Sequence, residues 1–144
     1  MKRYSLFAFA LAMIFSLALT VPMAVAKDMT SEDLVTEAKK QIIEISVSDA
    51  KVLFDKGGTI FVDCRTKEEY EVGHIPGAIN IPRGLLEFKV VDKIPDKQAN
   101  IVMYCMVGGR SCLATCTLCK MGYKNVKNMD GGWLAWEKAG YPIE

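Results

Sequence analysis

Cys105 is the residue best placed to do chemistry, because of what precedes and follows it. The apolar run 101–104 is typical of a buried β-strand and brings Cys105 to the carboxyl end of that strand. The loop that follows consists of Met106, Val107, Gly108, Gly109, Arg110 and Ser111. Two adjacent glycines permit backbone conformations in which successive N–H groups turn inward and bind an anion. We expect that anion to be a thiolate, a persulfide or an oxyanion.

The free-energy cost of ionising a thiol explains why glycines and an arginine would lie beside a reactive cysteine. Lowering a thiol pKa by two units from its usual value of about 8.5 takes about 2.7 kcal/mol. A helix dipole supplies only about 0.3–1 kcal/mol, so the loop N–H groups and the charge of Arg110 must supply the rest. The alternative is a structural cysteine buried at a strand end, which has no need of such a loop.

The elements that must position this loop follow from the hydrophobic pattern. Strands are predicted over residues 43–46, 59–64, 78–81, 100–105 and 125–129. Helices are predicted over 30–41, 48–56, 85–93, 111–121 and 133–139, with a short one between them that begins at a Thr66 cap with Glu69 three residues on. This alternation favours an α/β fold with a mainly parallel five-stranded sheet and helices on both faces. Ligands of such sheets bind at the carboxyl ends of the strands, where Cys105 lies.

The composition is that of one ordinary globular domain. The chain has 144 residues and a formal net charge of +1, with 51% hydrophobic and 24% charged residues. This profile disfavours disorder, tandem domains and binding to polyanions, so no nucleic-acid partner is expected.

Residues 1–26 have the pattern of a secretory signal peptide. Lys2 and Arg3 precede an apolar run over 6–21, and residues 24–26 form an A-x-A cleavage site. We therefore expect cleavage after Ala26, a helical extension over 27–43, the main domain over 44–144, and a periplasmic or secreted location with no membrane attachment. The alternative is an uncleaved anchor, because the apolar run approaches the roughly 20 residues that span a bilayer.

Separated motifs resemble, in order, those of the single-domain rhodaneses, a family of sulfurtransferases. They are Asp63-Cys64-Arg65 with Glu69-Tyr70, the segment 73–78, the loop 105–111, and Gly131-Gly132 before Trp133. The resemblance extends from residue 45 to the C-terminus and implies a rhodanese-like three-layer domain. An exported domain with a leading helix also resembles the periplasmic polysulfide sulfurtransferases.

The resemblance implies a role for each site residue and requires no cofactor. Cys105 is the expected nucleophile, which takes a sulfane sulfur from thiosulfate or polysulfide as a persulfide and passes it to cyanide, a thiol or a partner protein. The backbone N–H groups of 106–110 are expected to surround the terminal sulfur, with Arg110 holding the anionic donor. Ser111 is expected to cap the next helix, while Asp63 and Arg65 order the surrounding loops.

Loop length separates this activity from its chemical rivals. Cys105 to Arg110 comprises six residues, whereas phosphatases and arsenate reductases of similar fold carry a longer C-x5-R loop. A six-residue loop suits one sulfur atom better than a tetrahedral oxyanion, so those activities are disfavoured. The alternative from a different class is a non-catalytic persulfide carrier, or a redox-responsive binding module that docks on a respiratory or thiol-handling partner.

The remaining cysteines admit several interpretations. Cys112, Cys116 and Cys119 share one face of their helix at about 100° per residue. The favoured interpretation is that these cysteines are small, semi-buried side chains at the margin of the packed core. The alternative is a sulfur relay from Cys105 through Cys112, and a metal site is disfavoured. Cys64 lies in an apolar strand and is expected to belong to the core.

His74 is the single histidine of the chain. We interpret it as a turn residue with a hydrogen-bonded ring nitrogen rather than as a general base. Thiosulfate releases sulfite, which is a competent leaving group, so transfer needs no obligatory proton donor.

Overall fold

The computed structural model describes residues 28–144, and the predicted signal peptide lies outside this range. In chain order, the strands within it are β1 (Ile43–Ile45), β2 (Ile60–Asp63), β3 (Ile79–Asn80), β4 (Asn100–Tyr104) and β5 (Asn125–Met129). They form one sheet in the order β1-β5-β4-β2-β3, and every neighbouring pair is parallel. The predicted five-stranded parallel sheet is therefore confirmed.

The helices alternate with these strands. They are α1 (Ser31–Lys39), α2 (Val47–Lys56), α3 (Lys67–Val72), α4 (Leu86–Lys93), α5 (Gly109–Lys120) and α6 (Gly132–Lys138), with a 3₁₀ turn at Arg83–Leu85 before α4. The side chains of Thr30, Ser46 and Thr66 each accept a hydrogen bond from the backbone N–H three residues on. These N-caps explain why α1, α2 and α3 begin where they do.

The central strand β4 is buried on both faces of the sheet. Its residues 101–104 are at most 1% exposed, and they alternate between two core clusters. Ile101 and Met103 pack with α4 and α5, whereas Val102 and Tyr104 pack with α2 and α6. A continuous apolar run is what a parallel strand covered on both faces requires, so the three-layer arrangement follows from the pattern.

The N-terminal helix α1 packs against α5. Ala38 of α1 and the partly buried Val35 form a small apolar cluster with Cys112 and Cys116 of α5. Lys39 also forms salt bridges with Glu44 and Asp130, 3.1 and 3.5 Å away. No helix in residues 28–144 has the length and apolar character needed to cross a membrane.

Candidate functional site

Cys105 follows β4 at the carboxyl edge of the sheet, where the chain turns into α5. Gly108 makes this turn in the left-handed region, with φ of +101°, and α5 begins at Gly109. The helix therefore begins two residues earlier than predicted. Its first turn belongs to the loop that surrounds the cysteine sulfur.

Groups from the loop converge on Cys105 Sγ. The Gly108 N–H donates a hydrogen bond to Sγ at 3.2 Å, and the Ser111 hydroxyl lies 3.5 Å from it. The same hydroxyl lies 3.0 Å from the Gly108 carbonyl oxygen, which is its other possible acceptor. The prediction that Ser111 caps the helix is wrong, because Gly108 is the N-cap residue and Ser111 lies inside the first turn, buried against the sulfur.

Hydrogen bonds around Sγ stabilise the thiolate. The Cys64 thiol contributes most, followed by the Ser111 hydroxyl and the backbone N–H groups of Ser111 and Gly108, and together they lower the pKa of Cys105 to about 4 against the opposing effect of burial. Cys105 is therefore anionic at neutral pH. The residue is only 1% exposed, so Sγ is recessed from the protein surface.

The N-terminal end of α6 determines which way the loop faces. The Trp133 N–H donates to the Cys105 carbonyl oxygen at 2.7 Å, and the Leu134 N–H donates to the Met106 carbonyl oxygen at 3.1 Å. With these carbonyls held on the α6 side, the later N–H groups of the loop face the sulfur. Gly132 is required for this approach, since a Cβ at that position would overlap the Cys105 carbonyl oxygen, and its φ is +57°.

Arg110 is paired with a carboxylate of α3. Its two terminal nitrogens donate to the Glu69 carboxylate at 2.8 and 2.7 Å, and this contact is the main reason that the pKa of Glu69 falls to about 2. Glu69 also accepts the Thr66 N–H at 2.8 Å. From the sequence, Glu69 was expected to cap α3 and to belong to a family motif, but no contact with Arg110 was predicted. Its position opposite Arg110 depends on how α3 folds back toward the loop.

Asp63 and Arg65 form a buried ion pair beneath the site. Arg65 Nη2 donates to Asp63 Oδ2 at 2.6 Å and to the Gly73 carbonyl oxygen at 2.7 Å. The guanidinium carbon also lies 4.7 Å from the Trp133 ring centroid. The pair thus connects the end of β2 to the Gly73 turn and to α6, and its role in ordering the loops stays a prediction.

Cys64 is the site residue whose position sequence reasoning missed. It belongs to the core, as expected, and is 1% exposed. It also lies beside Cys105, and the interaction with the Cys105 sulfur is the largest cause of the raised pKa of Cys64. The sequence pattern predicts Cys64 at a strand end, but only the neighbouring positions of β2 and β4 in the sheet bring the two thiols together.

The cysteines of α5 have a different environment. Cys112 and Cys116 are buried beneath α1, deeper than the predicted packing margin, whereas Cys119 is exposed. The Cys112 thiol donates to the Val35 carbonyl oxygen at 3.6 Å, and burial raises its pKa to about 11. A relay through Cys112 stays a prediction. All five thiols are free, and residues 28–144 contain no group of three acidic, histidine or cysteine side chains able to hold a metal ion.

His74 lies in the turn after α3, with its ring nitrogen Nδ1 3.0 Å from the Tyr70 carbonyl oxygen. The ring stacks on Tyr70 with centroids 3.7 Å apart, and the His74 backbone exchanges hydrogen bonds with that of Glu144. These contacts match the interpretation of a turn histidine.

Comparisons with known proteins agree with this arrangement. A rhodanese-like domain model matches residues 46–139. The chain is 33% identical over 116 residues to thiosulfate sulfurtransferase 18 of Arabidopsis thaliana, which covers 72% of this chain and 85% of that protein. It is 38% identical over 98 residues to a sulfurtransferase of Allochromatium vinosum, which covers 68% of this chain and 90% of that one.

A solved structure from Rhodopseudomonas palustris, of a protein of unknown function described as a possible tyrosine phosphatase, is 33% identical with a TM-score of 0.74. The match covers 85% of this chain and 99% of that one. The match over residues 46–139 shows that the chain belongs to the rhodanese-like domain family, and the parallel sheet and the site geometry agree with this.

Proposed function

We propose that this protein is a sulfurtransferase that carries sulfane sulfur on Cys105. The thiolate attacks the outer sulfur of thiosulfate, the S–S bond breaks, and sulfite leaves with the electron pair. The resulting persulfide then gives its terminal sulfur to a thiophilic acceptor, which restores the thiolate. Polysulfide is the second donor class, with a shortened polysulfide chain as the leaving group.

The observation that carries this proposal is the set of hydrogen-bond donors around Cys105 Sγ. A thiolate is the nucleophile in sulfur transfer, and a pKa of about 4 keeps Cys105 in that form throughout the neutral range. The same donors suit the terminal sulfur of a persulfide, which is also an anion. The relatives named as sulfurtransferases support the same reaction class.

Arg110 is proposed to attract the anionic donor. Glu69 uses two of the guanidinium N–H donors, out of the five that an arginine carries. Donor binding is therefore expected to compete in part with this ion pair. The exposed Val107 at the loop tip, 61% exposed, is proposed to be displaced as the donor approaches the recessed sulfur.

The decisive assay follows thiocyanate formed from thiosulfate and cyanide over many turnovers. We expect repeated turnover, and we expect polysulfide to replace thiosulfate as donor. One loading event per chain, followed by no release to cyanide or small thiols, would instead identify a persulfide carrier. Hydrolysis of an aryl phosphate at a comparable rate, with no thiocyanate, would favour a phosphatase, the activity suggested for the Rhodopseudomonas palustris protein.

Export is proposed on the N-terminal sequence alone. Cleavage after Ala26 would leave Lys27 as the first residue of the mature protein. Mass spectrometry of the protein recovered from a periplasmic fraction should find that terminus. An intact Met1 in a membrane fraction would contradict cleavage and favour the anchor.

A further inference from the structure

The two thiols of the site come from adjacent strands that are held in register. Asp63 of β2 lies beside Tyr104 of β4, and Cys64 and Cys105 are the residues that directly follow these two strand ends. The Cys64 N–H donates to the Tyr104 carbonyl oxygen at 2.9 Å, so the backbone hydrogen bonding continues one residue past the end of β2. Both side chains lie in the same core cluster and therefore on the same face of the sheet.

This placement meets the requirements of a disulfide. Neighbouring strands lie about 4.7–4.9 Å apart, and the Cα atoms of bonded cysteines lie about 4.4–6.8 Å apart. Both thiols lie in one buried core cluster, at neighbouring positions of the sheet. A bond between them therefore needs side-chain rotation rather than movement of the sheet.

Packing alone gives no reason for a thiol at this position. Cys64 belongs to a largely aliphatic core cluster in which Val62, Ile81 and Leu86 are completely buried. An apolar side chain would fill that space equally well. The feature that a thiol adds is its contact with Cys105.

We propose that Cys64 resolves the Cys105 persulfide by forming a Cys64–Cys105 disulfide with release of hydrosulfide. This inference rests on the proposed function, because it starts from the loaded enzyme. The Cys64 sulfur attacks Cys105 Sγ, a new S–S bond forms between them, and the bond from Sγ to the sulfane sulfur breaks. The sulfane sulfur leaves with the electron pair and takes the proton of the Cys64 thiol, so the products are hydrosulfide and a disulfide. The sulfane sulfur is reduced and the two cysteine sulfurs are oxidised, so no external oxidant is needed.

Loading itself makes this step easier. In the unloaded site, the hydrogen bond to anionic Cys105, burial and the charge of Cys105 all raise the pKa of Cys64 and keep it a thiol. A persulfide carries its negative charge on the outer sulfur, one atom farther from Cys64. The attacking thiol is therefore expected to lose its proton more readily after loading than before.

The consequence is an activity in addition to sulfur transfer. A persulfide that meets an acceptor quickly gives up its sulfur, whereas one that waits releases hydrosulfide and leaves the site blocked as a disulfide. An external thiol then reopens the site, so donor and thiol together would sustain hydrosulfide production.

The test compares the reduced protein with Cys64→Ser and Cys64→Val after loading with inorganic polysulfide and removal of excess donor. Serine keeps a hydrogen-bond donor beside Cys105 but cannot form a disulfide. Valine has no hydrogen-bond donor and cannot form a disulfide. Samples are alkylated at intervals, Cys105 and Cys64 peptides are identified by mass, and hydrosulfide is trapped with a bimane reagent. Cys119→Ser, at an exposed position, is the matched control.

We expect the unmodified protein and Cys119→Ser to lose the added sulfur, to release one hydrosulfide per persulfide and to yield a cross-linked Cys64–Cys105 peptide. Both Cys64 variants should keep the persulfide at least about tenfold longer. Equal persulfide lifetimes in all four proteins, or a cross-link from Cys105 to Cys112, would overturn the inference while leaving the proposed function intact. If Cys105 gained sulfur in none of the four proteins, both the proposed function and the inference would be refuted.

Discussion

Cys105 and Cys112 are equally buried, at 1% and 0% exposure, yet the pKa values of their thiols shift in opposite directions. Hydrogen-bond donors surround Cys105 and lower its pKa to about 4. Cys112 lies beneath α1, where desolvation raises its pKa to about 11 and its thiol donates to a carbonyl oxygen. Burial by itself thus protects a thiol from ionisation. What makes a buried thiol reactive is the number of donors that face its sulfur.

The two regions compared are the Cys105 loop and the α1–α5 cluster that contains Cys112. The largest expected difference between them is in the rate of sulfur transfer. Cys105→Ser removes the proposed nucleophile and should lower the rate of thiocyanate formation by at least about 1000-fold, as losses of covalent nucleophiles do. Cys116→Ser changes a thiol of the α1–α5 cluster and should leave the rate within about twofold. A Cys105→Ser protein with normal turnover would remove the chemical distinction between the two regions.

The pH dependence of alkylation should separate the two regions next most strongly. Because the pKa of Cys105 is lowered to about 4, its thiolate is present above that value and is lost only as the pH falls through it. Its alkylation by iodoacetamide should change by less than about twofold between about pH 6 and 8, whereas a thiol with a pKa of about 11 should react about 100-fold faster over that range. Peptide mapping after timed alkylation measures both sites together. Parallel profiles for Cys105 and Cys112 would contradict the contrast.

Removing one hydrogen-bond donor should raise the pKa of Cys105 part of the way toward that of Cys112. Ser111→Ala removes the hydroxyl 3.5 Å from Sγ and should raise the pKa of Cys105 by about one unit, which is the effect of one charge-assisted hydrogen bond. The midpoint of the alkylation profile measures this shift. Thr115→Val is the matched control, since the Thr115 hydroxyl donates to the Ser111 carbonyl oxygen one turn farther along α5. A midpoint that moves equally in both variants would mean that the Ser111 hydroxyl has no specific effect.

The smallest expected effect is on the stability of the α1–α5 cluster. Cys116→Ala leaves a small cavity beside Ala38 and should lower the free energy of unfolding by about 1 kcal/mol without altering the Cys105 alkylation profile. Urea unfolding measures the change. Cys119→Ala, at an exposed position, should stay within about 0.5 kcal/mol of the unmodified protein. A larger loss for Cys119→Ala than for Cys116→Ala would contradict the packing role.

The fold was predictable because its signals are local. The apolar run 101–104 is typical of a strand covered on both faces, and the caps at Thr30 and Thr66 mark the helix starts correctly. The start of α5 was misplaced because Gly108 closes the turn with its backbone, without a capping side chain. A glycine in the left-handed region can end a loop or a helix, so its residue type does not fix the first helical residue.

Local patterns of residues were enough to predict the parallel α/β fold, the position of Cys105 at a strand end and the glycines that let backbone N–H groups approach its sulfur. Which side chains complete the site depends on how distant parts of the chain pack together. Glu69 reaches Arg110 across 41 positions of sequence, and Cys64 lies beside Cys105 because β2 and β4 are neighbours in the sheet. Hydrophobic periodicity and turn chemistry act over a few residues, whereas strand order and register decide which distant side chains meet.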